Sequence, residues 1–156
     1  HTKSVSEYTA NLCANAIGQN IFGALAHETH SQLNNWYKSQ RDYYRDLIVP
    51  LKEKLLKEIP GLIVSKPEAA IYFVIDFREI CNEDFDARDF IKYCASKGKV
   101  PINGKDYTLL LAPMNGFYSD PIRGKTQMRV AMVESRELIE KMPLVLSILY
   151  SNYLNT

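Results

Sequence analysis

The sequence predicts a two-layer α/β (α+β) sandwich: helices packed on one face of a small sheet of mixed direction, preceded by a long helix. Three observations carry this. Ala69–Phe77 holds Ile71, Tyr72, Phe73, Val74 and Ile75 in succession, a β-favouring run apolar on both faces that belongs at the centre of a sheet. Thr126–Val133 alternates Met128, Val130 and Met132 against Arg129, Ala131 and Val133, the period of a second strand. Ahead of both lies a long helical pattern through Leu33, Trp36, Tyr37, Tyr43, Tyr44, Leu47 and Ile48, stopped by Pro60-Gly61.

In chain order, apolar residues at Ile17, Ile21, Phe22 and Leu25 predict a short helix over Ala16–His27, whose stripe needs a partner. Ser31 is the expected N-cap of the long helix, and Pro50 should kink or restart it. Leu62–Val64 reads as a short strand. Asp84 or Asp86 suits the cap of the next helix, which carries Phe90, Ile91, Tyr93 and Cys94 and ends at Lys97-Gly98. Val100–Ile102 and Tyr107–Ala112 read as extended pieces around an Asn103-Gly104 turn. A loop over Pro113–Lys125 leads into the Arg129 strand. Ser135 caps a final helix, with a kink expected at Pro143.

Length and composition fit one soluble domain, since 156 residues with 46% hydrophobic and 24% charged content are ordinary for a globular chain. A net charge of +1 without a basic block gives no sign of a nucleic-acid partner, and no apolar run approaches a membrane span. Cys13, Cys81 and Cys94 form no CxxC and leave one unpaired, which favours a reduced, cytoplasmic setting. The start at His1 rather than Met suits an excised fragment or a processed product.

Candidate chemistry is sparse. His27-Glu28-Thr29-His30 is one residue short of the HExxH zinc pattern and lacks a third ligand, so no metal site is expected. The cysteines lack a nearby histidine. Asp76, Asp84, Asp86 and Glu134 suit caps and solvated positions better than a paired-carboxylate site. Arg129 stands apart. On a mostly apolar strand face, a guanidinium is costly to bury alone and suits an anion.

Five segments in order resemble the C-terminal small domain of fold-type I pyridoxal-phosphate aminotransferases, closest to the aspartate-aminotransferase-like branch (class I/II). Leu12-Cys13-Ala14-Asn15-Ala16-Ile17-Gly18-Gln19 resembles the family's RLC…LGQ segment, with alanines and Asn15 where prolines are common. Tyr44-Arg45-Asp46 followed by Ile59-Pro60-Gly61 resembles its RRD…IPG interdomain helix and stop. Pro67-Glu68-Ala69-Ala70-Ile71-Tyr72-Phe73 resembles PEGAFY, with Ala69 in place of glycine. Leu110–Ser119 and Gly124–Ala131 resemble the closing LLAPxxGFYS…GKNxVRIA pair.

The resemblance implies a connecting segment at 1–30 from a large domain and a small domain at 31–156. It implies that Arg129 grips the substrate α-carboxylate, that Gly116, Phe117 and Tyr118 belong to a loop covering the substrate, and that Asn15 contacts the cofactor from a neighbouring subunit. The implied cofactor is pyridoxal 5'-phosphate, bound mainly by the large domain. The implied partners are an amino acid (aspartate or a similar one), a 2-oxo acid and a second copy in a homodimer. No lysine here is followed by the family's Gly-x-Arg turn, so no catalytic residue is assigned to this chain. A non-catalytic binding or dimerisation domain, with Arg129 in an ion pair to Asp76 or Glu134, is the alternative. A decarboxylase or lyase of the same fold is another.

Overall fold

A computed structural model describes residues 15–155. The chain divides into two compact units, His1–Asp42 and Tyr43–Thr156.

In the first unit, α1 (Ala16–Gly23) is capped by Asn15, whose side chain accepts from the Gly18 amide at 2.9 Å. The helix expected over Ala16–His27 tightens at Ala24 into a single 3₁₀ turn, Ala24–His27. Ile17, Ile21 and Phe22 are at least 70% exposed and Leu25 is 43% exposed, so no described residue of this unit covers the predicted stripe. The long helix α2 (His30–Glu58) starts one residue before Ser31 and is capped by Thr29 instead. Gln32 N–H donates to Thr29 Oγ1 at 3.2 Å, and Gln32 Oε1 accepts from the Thr29 amide at 2.8 Å. That reciprocal pair satisfies two otherwise unpaired donors, which one Ser31 cap would not.

The second unit holds the core. α2 passes through Pro50 without a break, because Leu47, Ile48, Leu51 and Leu55 are buried on both sides of it and hold the helix across one missing hydrogen bond. β1 (Ile63–Val64) and β2 (Tyr72–Asp76) follow. α3 (Ala87–Ser96) is capped by Asp86, whose carboxylate accepts from the Arg88 amide at 2.8 Å. β3 (Val100–Ile102) and β4 (Lys105–Tyr107) form a hairpin closed by Asn103-Gly104, both at positive φ as the two-residue turn demands. β5 (Ala112–Pro113) and β6 (Gln127–Ala131) are separated by two 3₁₀ turns, Asn115–Phe117 and Pro121–Gly124. α4 (Arg136–Leu154) is capped by Ser135 and, like α2, runs on through its proline: Pro143 is itself buried in the core.

The main sheet has the order β1-β2-β6-β5, which puts the Tyr72–Asp76 strand in an interior position as its composition requires. All pairings are antiparallel, not of mixed direction. A parallel pair needs a crossover that returns to the same sheet, and among the described residues the one strand–α-helix–strand unit, β2–α3–β3, delivers β3 to a separate hairpin. β2 is shorter than the expected Ala69–Phe77 because Ala70 adopts φ +61 and turns the chain before pairing begins.

Register sorts the strands by face. Phe73, Ile75, Met128 and Val130 point into the core with Leu146 and Leu149 of α4. Tyr72, Val74 and Asp76 share the opposite face with Ala131, Arg129 and Gln127, their respective partners across the pair. An aromatic cluster of Phe77, Phe85, Phe90 and Tyr150 closes one end of the core, and the Tyr150 hydroxyl donates to the Ile80 carbonyl at 2.9 Å.

Candidate carboxylate-binding site

Arg129 lies at the middle of the face turned away from the core. Val74 is its partner on one side and Ala112 on the other. Its Cζ sits 4.6 Å from the centre of the Tyr72 ring and 5.2 Å from that of Phe117. Tyr72 comes from the neighbouring strand, two residues from Val74 and therefore on the same face. Phe117 comes from the 3₁₀ turn that folds over that face. The Nε of Arg129 is buried with no hydrogen-bond partner. Among the described residues no carboxylate forms an ion pair with this guanidinium.

The loop residues named from the sequence are brought to the same place. Phe117 covers Arg129, while Tyr118 donates its hydroxyl to Gln127 Oε1 at 2.7 Å. Gly116 lies between the 3₁₀ backbone and solvent, with no atom within 4 Å of where a Cβ would project. Gly124 is the opposite case: it is buried, and its Cβ would fall 2.5 Å from the Asn115 nitrogen. The two 3₁₀ turns are packed backbone against backbone, which fixes where Phe117 stands.

Asp76 occupies the end of the same face, 4% exposed, and anchors a second network. It pairs with the Arg78 guanidinium, accepting from Arg78 Nε at 2.6 Å and from the Arg78 amide at 3.0 Å. Thr126 Oγ1 donates to it at 2.6 Å and Gln127 Nε2 at 2.8 Å. Burial alone would raise this carboxyl's pKa, but the bonds from Arg78, Thr126 and Gln127 outweigh it and hold the group below the usual carboxylate range. The alternative ion pair between Asp76 and Arg129 is therefore not formed; Asp76 is engaged by Arg78. Glu134 is exposed and does not pair with Arg129 either. Neither Asp76 nor its network was legible as a site in the sequence, because Thr126 and Gln127 lie about fifty residues away.

Two depressions flank the site. One of about 540 Å³ runs beside Arg129 and is largely apolar, with Leu109, Leu111, Met132, Val133 and Leu138 in its walls. The other, about 500 Å³, opens over Arg78, Tyr118, Arg123 and Thr126.

A pyridoxal phosphate site requires a lysine for imine formation, commonly desolvated to lower its pKa, and a cradle for the phosphate. No described lysine is buried: Lys66 and Lys97 are exposed, Lys52, Lys125 and Lys141 are half-buried, and of these Lys125 donates to the Glu83 carbonyl and Lys141 pairs with Glu137. Asn15 is exposed and its Oδ1 is committed to capping α1. The described residues do not by themselves fit the cofactor. Among them, no three His, Cys, Asp or Glu side chains gather for a metal, and His27 and His30 are exposed at helix ends. Cys81 and Cys94 are free thiols, whereas Cys13 and the Leu12-to-Ala14 portion of the first resembling segment lie outside the described residues. No described helix is long and apolar enough to cross a membrane.

No protein-family model matches the sequence, and no curated protein matches it. Among solved structures, the chain is similar to N-succinyldiaminopimelate aminotransferase from Mycobacterium tuberculosis, with a TM-score of 0.57 and 17% identity. The match covers 76% of this chain and 28% of that one, so the chain spans less than a third of the enzyme it resembles. At that identity the likeness establishes a shared fold: a mixed α/β domain of the kind found in an aminotransferase.

Proposed function

We propose that this chain is the substrate-carboxylate-binding C-terminal domain of a pyridoxal-phosphate-dependent aminotransferase. Its parent would move an amino group between an amino acid, aspartate or a similar one, and a 2-oxo acid. The observation that carries the reading is Arg129, a guanidinium held over the rings of Tyr72 and Phe117 on the sheet face away from the core, with no carboxylate of its own among the described residues. A planar fork of donors in that state matches a carboxylate bidentately. The Phe117–Tyr118 turn above it limits water access and is the natural cover once a substrate is seated.

In this reading the remainder of the parent, a large domain and a second copy in a homodimer, holds the cofactor, with Asn15 as a contact offered to the neighbouring subunit. Residues 1–30 are the connecting segment, residues 31–156 the small domain, and the setting is cytoplasmic. The cofactor, when bound, supplies the aldehyde and the electron sink of amino-group transfer. This chain supplies the grip: Arg129 fixes the carboxylate and so aims the α-amino group and the Cα–H bond.

Two measurements test it. In the parent enzyme, Arg129→Ala should lower kcat/KM by roughly a hundredfold or more, mainly through KM, as loss of a desolvated charge partner does. Unaltered kinetics would refute the assignment. The 156-residue chain treated with pyridoxal phosphate and borohydride should retain no stoichiometric adduct; one specific reduced lysine would show that the chain carries its own catalytic amine.

A further inference from the structure

The way Arg129 is held differs from the way the other engaged arginine on this side of the sheet is held. Arg78 is fixed by Asp76 through Nε and Nη2, which commits those donors and neutralises the charge. Arg129 is fixed by ring faces, which hold a cation without accepting any of its N–H hydrogens. Its Nε is buried, so the ends that remain for a ligand are the two Nη nitrogens. The two rings are not equivalent. Tyr72 stands on the central strand β2, paired to Ala131 of β6, so its backbone is fixed relative to Arg129. Phe117 belongs to a 3₁₀ turn with no strand partner, and the two rings are exposed to 41% at Tyr72 and 58% at Phe117, so what distinguishes Tyr72 is the paired strand that carries it.

We propose that Tyr72 is the positioning residue of this site: its ring is the fixed wall that sets the guanidinium plane of Arg129 and leaves both Nη groups to a ligand carboxylate. The inference rests on the reading that Arg129 receives a carboxylate. Tyr72 touches the arginine and not the reacting atoms. A ring is needed and its hydroxyl is not, so phenylalanine should replace it and an aliphatic side chain should not. A carboxylate at position 72 would compete for the same donors.

The test uses the 156-residue chain labelled with ¹⁵N and carrying Tyr72→Phe, Tyr72→Leu, Tyr72→Thr or Arg129→Ala. The order parameter of the Arg129 Nε–Hε bond is measured, then the shift of that resonance on titration with sodium acetate against sodium chloride at equal ionic strength. Wild type and Tyr72→Phe should show an ordered Nε–Hε and the same acetate affinity. Tyr72→Leu and Tyr72→Thr should lose that order and bind acetate about fivefold more weakly, the scale of one ring contact. The two variants without a ring differ in β-propensity, threonine being the stronger strand former, and the comparison is made on whichever keeps the wild-type backbone amide spectrum. If both stay as ordered as wild type and bind acetate equally, Tyr72 has no positioning role, although Arg129 still binds a carboxylate. If acetate leaves the wild-type Arg129 resonance unmoved, the carboxylate reading itself falls and this inference falls with it.

Discussion

Replacing Gly124 by alanine offers a direct way to disturb the cover over Arg129 without touching the arginine. A Cβ at this position would lie 2.5 Å from both the Asn115 nitrogen and the Met114 carbonyl carbon, and 2.6 Å from the Asn115 Cα. Carbon contacts are comfortable near 3.5–4.0 Å, so one 3₁₀ turn must retreat from the other by about 1 Å. All three neighbours are backbone, and no side-chain rotation relieves them. Overpacking of this kind costs about 1–3 kcal/mol, and for a chain of this size that corresponds to a fall in Tm of roughly 2–12 °C. Gly116, in the facing turn, is the internal control: nothing lies within 4 Å of its Cβ position. Gly116→Ala should therefore leave Tm unchanged or raise it slightly, through the smaller entropy of the unfolded chain. The assay is thermal unfolding by near-ultraviolet circular dichroism, which also reports the Phe117 and Tyr118 environments. A Gly124→Ala protein melting within 1 °C of wild type, or a Gly116→Ala protein losing as much, would refute the close-packing argument, on a scale where about 1 °C is well under 1 kcal/mol.

Three further outcomes are expected. Asp76 has a folded pKa below its unfolded value, so its contribution is fully present above the ordinary carboxylate pKa of 3.8 and disappears as pH falls through the folded one. Between about pH 5 and 2, Tm of the wild type should therefore fall more steeply than that of Asp76→Asn, and parallel curves would sink the linkage. Burial pushes the Cys94 thiol up to about 11, while Cys81 is half-buried and shifted less. In a Cys13→Ser background, a disulfide reagent at neutral pH should label Cys81 first and Cys94 only at the rate of unfolding. Ala70 at φ +61 is strained for a residue with a Cβ, and Ala70→Gly should stabilise by up to about 1 kcal/mol in denaturant titrations; a destabilised variant would show that its methyl group packs.

What the sequence revealed and what it hid follow from the range of the interactions. The period-2 alternation of residues 126–133 placed Arg129 opposite Met128 and Val130 because strand faces are set locally. The Asn103-Gly104 turn was equally legible, since its positive φ angles select those residues. Thr29 and Gln32 also carry a local signature, but Ser31 is an equally good cap by residue type, and only the reciprocal hydrogen bonds decide between them. By contrast, nothing near Tyr72 announces its partner. Tyr72 and Asp76 acquire their roles through pairing with residues more than fifty positions later, and composition does not encode which strands meet. Pro50 and Pro143 read as kinks because sequence shows the missing N–H but not the burial that outweighs it.

The hydrogen bond from Gln127 to Asp76 joins residues that are also paired across the two central strands. It therefore serves as a reading-frame mark for their alignment. Sliding β6 by one residue along β2 would exchange its faces, sending Arg129 into the packed interior and Met128 into water. The slipped sheet would leave a guanidinium surrounded by Phe73 and Ile75 with no counter-ion, and would separate Asp76 from its amide donor. Two mismatches on one face of β6, at Gln127 and Arg129, thus penalise the same one-step error, so the alignment that sets Arg129 beside Tyr72 is also the one in which this pair of strands folds.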